Sequence, residues 1–336
     1  MSVLDLAIDM GSTYTTIFKK GSGIVLKEPT VLCLEKSGKT TKVKEIGLKA
    51  KKMRGRTGTG SAVVYPIVEG VIKNVDLCIE MLKYFLNKVT PFSVVKPKIR
   101  AVVTIPCGLS EDEVNDYEKV MYGAGIGRIN LVPGILASAI GDDVKVSQPR
   151  GSLIVNIGGG KTEIAVISLN SILSGCSLSI GGKLMDTAIV EYVKDLLNVS
   201  ISDTTAERIK QEVASLYDSD RSSTQFSGAD ISSNRPVTEV VNAKQISVAV
   251  STFYDDIIRT IEGVINSCKP DIVADITETG VVLSGGGSAI TGLESYFRKK
   301  LDLPITVSEN PSDSVIIGAG KLISDEFLLE NILREN

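Results

Sequence analysis

The chain alternates short apolar runs with longer stretches whose apolar residues recur every three or four positions. That alternation predicts an α/β protein rather than an all-β fold or a helical bundle. VLDLAID (3–9) and TTIFKK (15–20) read as strands across a tight glycine-containing turn. DLCIEMLKYFLNKV (76–89) sets Leu77, Ile79, Leu82, Phe85 and Leu86 at helical spacing. RAVVTIP (100–106) reads as a buried strand, followed by a helix from Ser110 whose Glu111 and Glu113 suit its positive end. SLIVNIGGGKTEIAVISL (152–169) repeats the strand–turn–strand pattern ahead of predicted helices at 185–197 and 204–216. The polar DSDRSSTQFSGADISSNRP (218–236) predicts loops and a hairpin in a peripheral subdomain. A long helix at 243–267 leads to TGVVLSGGGSAITGL (279–293), a strand running into glycines and then a helix. The final SVIIGAGKLISDEFLLENILREN reads as a helix with Gly318 and Gly320 on one small-residue face.

Two of these segments are copies of each other. A shift of 147 residues lays IDMGSTYTTI (8–17) on VNIGGGKTEI (155–164), matching Gly11 with Gly158, Thr15 with Thr162, Ile17 with Ile164 and Asp9 with Asn156. Each copy is a hairpin that turns bare backbone N–H groups toward its tip, where a Cβ would hold phosphate oxygens away. Two such hairpins from two similar halves suit a polyphosphate clamped from both sides. Neither copy is a P-loop or a dinucleotide fingerprint, and the glycines of SGGGSAITG (284–292) do not form that fingerprint either.

Composition narrows the chemistry further. At 336 residues the chain has length for about two domains. Its 43% hydrophobic and 23% charged residues are ordinary globular usage. No apolar run reaches the roughly 18 residues of a membrane span, and MSVLDLAID lacks the basic start of a signal peptide. Five scattered cysteines without a C-x-x-C read as reduced thiols in a cytosolic protein. A net charge of −3 argues against nucleic acid as a partner. The basic interval 36–56 has no aromatic among its charges to stack a base, so it reads as a solvated face. The chain contains no histidine, which removes histidine-based nucleophilic catalysis and His-ligated metal sites. Phosphate chemistry, which depends mainly on positioning and electrostatics, fits what remains. Finally, TPFSVVKPK (90–98) sets Phe92, Val94 and Val95 among Lys88, Lys96 and Lys98, a pattern suited to insertion into an anionic leaflet. The bland alternative is that these three cap the neighbouring core.

The order of IDMGSTYTT, LVPGILASAIG, NIGGGKTEIAVIS, VVLSGGGSAITGL and VIIGAGKLI resembles the nucleotide-site segments of the actin, sugar-kinase and heat-shock-chaperone ATPase superfamily. GIVLKEPTVLCL, EIGLKAKKMRGRTGTGSAVVYPIVEGVI, DLCIEMLKYFL, TAERIKQEV and LDLPITVSENPSDSVIIGAG resemble the MreB/Mbl bacterial actins, over almost the whole chain. The resemblance implies an actin-like α/β fold: two similar halves, each a mixed sheet flanked by helices, with a nucleotide cleft between them and two smaller peripheral subdomains. Its implied boundaries are 1–31 with 73–141 and 318–336 (subdomain IA), 32–72 (IB), 142–180 with 244–317 (IIA) and 181–243 (IIB). It implies ATP or GTP with Mg2+ as cofactors. Phosphates would meet Gly11, Ser12 and Thr13 on one side and Gly158, Gly159, Gly160 and Thr162 on the other. Asp9, and Asn156 through water, would face the metal. Glu207 and Lys210, three apart on one helix face, match the positions that hold ribose and adenine; on sequence alone they would be a surface pair. Gly285, Gly286 and Gly287 would let the backbone approach the adenosine. The implied partners are further copies in a filament, the cytoplasmic membrane surface and cell-wall synthesis membrane proteins. The implied location is the cytoplasm, at the inner face of the cell membrane.

Two departures qualify this picture. The family's second hairpin starts with aspartate where this chain has Asn156. The family's Glu-Glu-Pro, which carries the water-orienting glutamate, falls on LVPGILASAIG with Pro133 and Gly134 at the glutamate positions. Ser138 and Glu163 are polar neighbours, and neither stands in the position of a base. Slow or absent hydrolysis is therefore expected, since a positioned base contributes roughly 10²–10⁴-fold. Beside a membrane-apposed filament former stand four other readings. A regulatory paralogue that copolymerises with an active actin stays open. A plasmid-segregating actin is disfavoured by the hydrophobic loop, a sugar or acetate kinase by the missing acceptor base, and a chaperone ATPase by the missing peptide-binding domain. The acidic outer face of EFLLENILREN predicts docking on the body rather than on lipid.

Overall fold

The computed structural model describes residues 3–38, 40–90 and 97–335. Its internal contacts divide the chain into two compact units. The first holds Met1–Arg150, Ala165–Ser177 and Asp313–Asn336; the second holds Gly151–Ile164 and Leu178–Ser312.

The first unit is built on β1 (Val3–Met10), β2 (Tyr14–Lys19) and β3 (Gly23–Pro29). β1 pairs antiparallel with β2, so a two-strand hairpin closes at residues 11–13. Leu4, Leu6, Ala7, Ile8 and Met10 of β1 are all buried, the near-continuous apolar run expected of a strand covered on both faces. Fully burying Leu6 or Ile8 contributes about 1.5–3 kcal/mol each. A smaller sheet follows, formed by β4 (Leu32–Ser37), β5 (Thr40–Ile46) and β6 (Ser61–Val64), with the short helix α1 (Leu48–Lys52) after β5. The basic interval lies here. Lys44 pairs with Glu35 and Lys49 with Glu45, while Lys51 and Arg54 lie over the rings of Tyr14 and Tyr65, both outside the interval.

After β7 (Ile67–Val68) and β8 (Val71–Ile72), Asn74 caps α2 (Val75–Val89) by accepting from the Leu77 N–H. α2 buries Cys78, Met81, Leu82, Phe85 and Leu86, a stripe at three- and four-residue spacing. β9 (Lys98–Ile105) then runs parallel beside β1. The expected helix after Ser110 is α3 (Glu111–Gly123), closed by a reciprocal Ser110–Glu113 capping box. β10 (Arg128–Pro133) joins β9 in parallel, giving the order β10-β9-β1-β2-β3, and α4 (Gly134–Gly141) leaves directly from it.

The second sheet has the order β13-β12-β11-β17-β18. Its strands are β11 (Ser152–Ile157), β12 (Thr162–Ser168), β13 (Ser171–Leu178), β17 (Val281–Ser284) and β18 (Ile305–Val307), with β11, β17 and β18 parallel. α5 (Gly182–Leu197) starts three residues earlier than the apolar spacing predicts, because two glycines form its first corner. α6 (Asp203–Val213) follows β14 (Val199–Ser200), and the polar stretch folds as the hairpin β15 (Ser223–Asp230) and β16 (Pro236–Asn242). An Asn242–Gln245 capping box opens the long α7 (Ala243–Asn266). α8 (Pro270–Thr279) is an additional helix that the apolar spacing does not predict, although its start and stop signals, a leading proline and Gly280 after its end, stand in the sequence. The third glycine run does not open a helix directly. It forms a single 3₁₀ turn, Gly286–Ala289, before α9 (Leu293–Leu301).

The C-terminal segment also departs from expectation. It is two helices, α10 (Ser314–Ser324) and α11 (Glu326–Glu335), broken at Asp325, whose carboxylate accepts the Leu328 N–H as a new N-cap. Gly318 and Gly320 do not share a face, since two helical residues lie about 200° apart. A Cβ on Gly318 would overlap the Ala137 carbonyl of α4, whereas one on Gly320 would press on the Phe18 ring of β2. α11 buries Leu329 and Ile332 and leaves Phe327 exposed.

Candidate functional site

The first hairpin closes when the Gly11 N–H donates to the Tyr14 carbonyl at 2.9 Å. A Cβ on Gly11 would stand 3.0 Å from that same oxygen. At the end of β1, the Asp9 carboxylate accepts the Thr104 hydroxyl at 2.7 Å, fixing an acid at the mouth of the turn. Ser12 is buried, and its Oγ accepts the Gly70 N–H at 2.9 Å; the Gly70 carbonyl in turn accepts the hydroxyl of buried Tyr117 at 2.9 Å. The Thr13 Oγ1 is buried with no hydrogen-bond partner among the described residues. Buried hydroxyls are ordinarily satisfied, so this one fits a tip that receives an oxygen-rich ligand.

The second hairpin repeats the same turn-closing bond. The Gly158 N–H donates to the Lys161 carbonyl at 2.9 Å, and a Cβ on Gly158 would stand 2.9 Å from it. Here, however, the start of α5 seals the turn. The Gly182 and Lys183 N–H groups donate to the Gly158 and Gly159 carbonyls at 3.0 and 2.8 Å. With those carbonyls tied to α5 and the Gly158 N–H spent on closing the turn, the Gly159 and Gly160 amides are what remain for the tip to present. The Thr162 hydroxyl, fully buried, donates to the Ile180 carbonyl at 2.7 Å, which commits it to holding the hairpin against the segment that leads into α5. Asn156 lies opposite Ser284 in the sheet, and a Cβ on Gly285 would overlap its Oδ1. Gly285 and Gly287 are both pressed against β11, whereas Gly286 has only Ser312 Cβ nearby, at 4.0 Å. Of the three, Gly286 is the one with open space beside it. The Gly287 carbonyl accepts from Tyr254 at 2.8 Å, and burial pushes that phenol well above its ordinary range.

Glu207 and Lys210 both lie on α6, but Lys210 is no surface lysine. Its ammonium donates to the Gly182 carbonyl and pairs with Asp186, both at 2.6 Å. Lys210 thus anchors the same α5 corner that seals the second hairpin. Sequence reasoning missed this corner. Gly181, Gly182 and Asp186 carry it, and the signal available was the paired glycine of SIGGKLMD ahead of an apolar helical run. Gly134 is the first residue of α4 and is buried, Pro133 precedes it, and no acid lies in that helix's first turn. Ser138 is fully buried inside α4, and Glu163, also buried, pairs with Lys161 at 3.6 Å. Phe92, Val94 and Val95 lie outside the described residues. Among the described residues no cluster of three or more acidic or cysteine side chains could cage a metal, and no helix is long and apolar enough to cross a membrane.

Two sheets flanked by helices, each with a glycine turn of the same hydrogen bonding, define an actin-like protein. The solved structure of MreB5 from Spiroplasma citri bound to AMPPNP superposes with a TM-score of 0.91 at 25% identity, covering 99% of both chains. The chain belongs to the MreB/Mbl protein family, which it matches over residues 3–330. It is 35% identical over 322 residues to the cell shape-determining protein MreB of Escherichia coli K12, covering 95% of this chain and 93% of that one. To the cell shape-determining protein Mbl of Bacillus subtilis it is 33% identical over 326 residues, 97% of each.

Proposed function

We propose that this chain is a nucleotide-binding bacterial actin that forms membrane-associated filaments organising cell-wall synthesis in a rod-shaped cell, and that it hydrolyses its nucleotide slowly. The observation that carries the kinetic part is Gly134: a buried glycine opens α4, and no acid lies in its first turn to orient water. The Thr13 hydroxyl without a partner among the described residues, the open flank of Gly286 and the Gly159 and Gly160 amides at the second tip support a nucleotide as ligand. So does the AMPPNP named for the Spiroplasma citri relative. We propose that Gly11, Ser12, Thr13, Gly158, Gly159 and Gly160 serve the phosphates, and Glu207, Lys210, Gly285, Gly286 and Gly287 the nucleoside, ATP or GTP. Thr162 acts through the shape of its hairpin. Magnesium, held through water by Asp9 and the Asn156 amide, would offset phosphate charge. Phe92, Val94 and Val95 would meet the inner face of the cytoplasmic membrane. The four-subdomain boundaries expected from the resemblance belong to the same proposal.

A regulatory paralogue that copolymerises with an active actin is the second reading, and the same Gly134 favours it. The test is negative-stain microscopy of the purified protein with Mg-ATP, with and without anionic liposomes, alongside phosphate release. Filaments enriched on lipid with slow release support the main reading. Monomers in every condition support the paralogue, and steady release comparable to that of ordinary bacterial actins overturns the kinetic part.

A further inference from the structure

Lys161 sits at the tip of the second hairpin, and neither the fold nor the turn explains its side chain. Its backbone does the structural work, since its carbonyl accepts the Gly158 N–H. The side chain is only 15% exposed, and its ammonium lies 3.6 Å from the Glu163 carboxylate, itself 8% exposed. That separation is an ion pair too long for a hydrogen bond. The ammonium donates no hydrogen bond to any acceptor among the described residues. The Nζ itself keeps contact with solvent, so its three N–H groups, with no acceptor among those residues, stay open to an anionic ligand. The repeat shows that the turn does not require it. The matching residue of the first hairpin is Tyr14, whose ring has the ammonium groups of Lys27 and Lys51 outside it at 5.8 and 5.6 Å. The same second hairpin begins with neutral Asn156 where its counterpart has Asp9, so it lacks an acid at the position best placed to retain a cation.

We propose that Lys161 is a phosphate ligand of the second hairpin, and that its charge lets the nucleotide bind with little dependence on magnesium. This rests on the nucleotide-binding reading above. With nucleotide absent the ammonium leans on Glu163. With nucleotide present it donates to a phosphate oxygen and keeps Glu163 as a longer-range partner. A lysine serves as a compact point charge of this kind in other phosphate sites.

The experiment is a titration of a fluorescent ATP analogue followed by anisotropy, in Mg2+ and in EDTA, on the wild type, Lys161→Thr and Glu163→Gln. Adenosine, which has no phosphate, is the competing control. A charge-assisted hydrogen bond corresponds to roughly 10- to 100-fold in affinity, so Lys161→Thr is expected to lose about that much in EDTA. Its loss in Mg2+ should be smaller and its adenosine affinity unchanged. Glu163→Gln should bind at least as tightly as the wild type. The proposal is overturned if the wild type loses more than about 100-fold on removing magnesium, or if Lys161→Thr stays within about twofold of wild type in EDTA. It is equally overturned if both variants lower the melting temperature alike while affinity is untouched, because the pair is then only structural. A wild type that binds no nucleotide even with Mg2+ sinks the functional reading itself. Binding that ignores Lys161 sinks this inference alone.

Discussion

Gly181 offers a sharp test of how the second hairpin is held. A Cβ there would lie 2.7 Å from the Lys161 nitrogen, 2.8 Å from the Gly160 carbonyl carbon and 2.9 Å from the Gly158 oxygen. All three are backbone atoms and cannot swing aside. Gly181→Ala therefore has to push α5 off the turn, stretching the bonds from Gly182 to Gly158 and from Lys183 to Gly159. Two backbone hydrogen bonds are worth about 1–3 kcal/mol together. Replacing glycine returns about 0.4–1 kcal/mol through a less flexible unfolded chain, because Gly181 is extended, a conformation alanine adopts freely. The net expectation is a loss of up to about 2.5 kcal/mol in urea unfolding, with weakened nucleotide affinity. Gly263→Ala is the matched control. That glycine lies in α7 with open space where a Cβ would stand, so the same substitution should stabilise by about 0.5–1 kcal/mol. The reasoning fails if the two variants shift stability in the same direction.

Three further outcomes follow from named contacts. Gly134→Glu puts a carboxylate at the start of α4, and phosphate release should rise by at least about tenfold toward the roughly 10²–10⁴-fold worth of a positioned base; an unchanged rate refutes the role given to this position. Lys210→Met strips the partner from Asp186 and the Gly182 carbonyl, and chemical denaturation should show a loss of about 2–3 kcal/mol, below the full figure for a buried pair because both groups keep some solvent. The Arg100 guanidinium hydrogen-bonds Asp5 at 2.7 and 2.8 Å and holds its carboxyl below the ordinary 3.8. A folded carboxyl with a lowered pKa stabilises above the unfolded value and loses that contribution as pH falls through the folded one. The stability gap between wild type and Asp5→Asn should therefore be full near neutral pH and close in acid; a gap that widens in acid contradicts the assignment.

What could be read from the sequence was whatever a short window specifies. The Ser110–Glu113 capping box, the apolar stripe of α2 and the two glycine hairpins each depend on residues a few positions apart, so their signals are local. What escaped depends on contacts between distant segments. Gly318 and Gly320 look alike in the sequence, but one meets α4 and the other Phe18, and only the packed structure separates them. Thr162 reads as one more phosphate-facing hydroxyl until the Ile180 carbonyl, eighteen positions away, accepts its hydrogen bond. Lys210 reads as surface charge until the α5 corner supplies Asp186. The break at Asp325 was legible in principle, since an aspartate before Glu326 is an N-cap signal, but continuous apolar spacing on both sides masks it.

The duplicated turn gives the molecule an internal comparison. Both copies fold around the same glycine and the same 2.9 Å bond, so the positions they share, Gly11 with Gly158 and Thr15 with Thr162, mark what the turn itself demands. The positions where they differ, Asp9 against Asn156, Ser12 against Gly159 and Tyr14 against Lys161, are free of that demand and are open to specialisation. One chain therefore holds two versions of a single device, and exchanging residues between them asks which half of the pair each function has settled in.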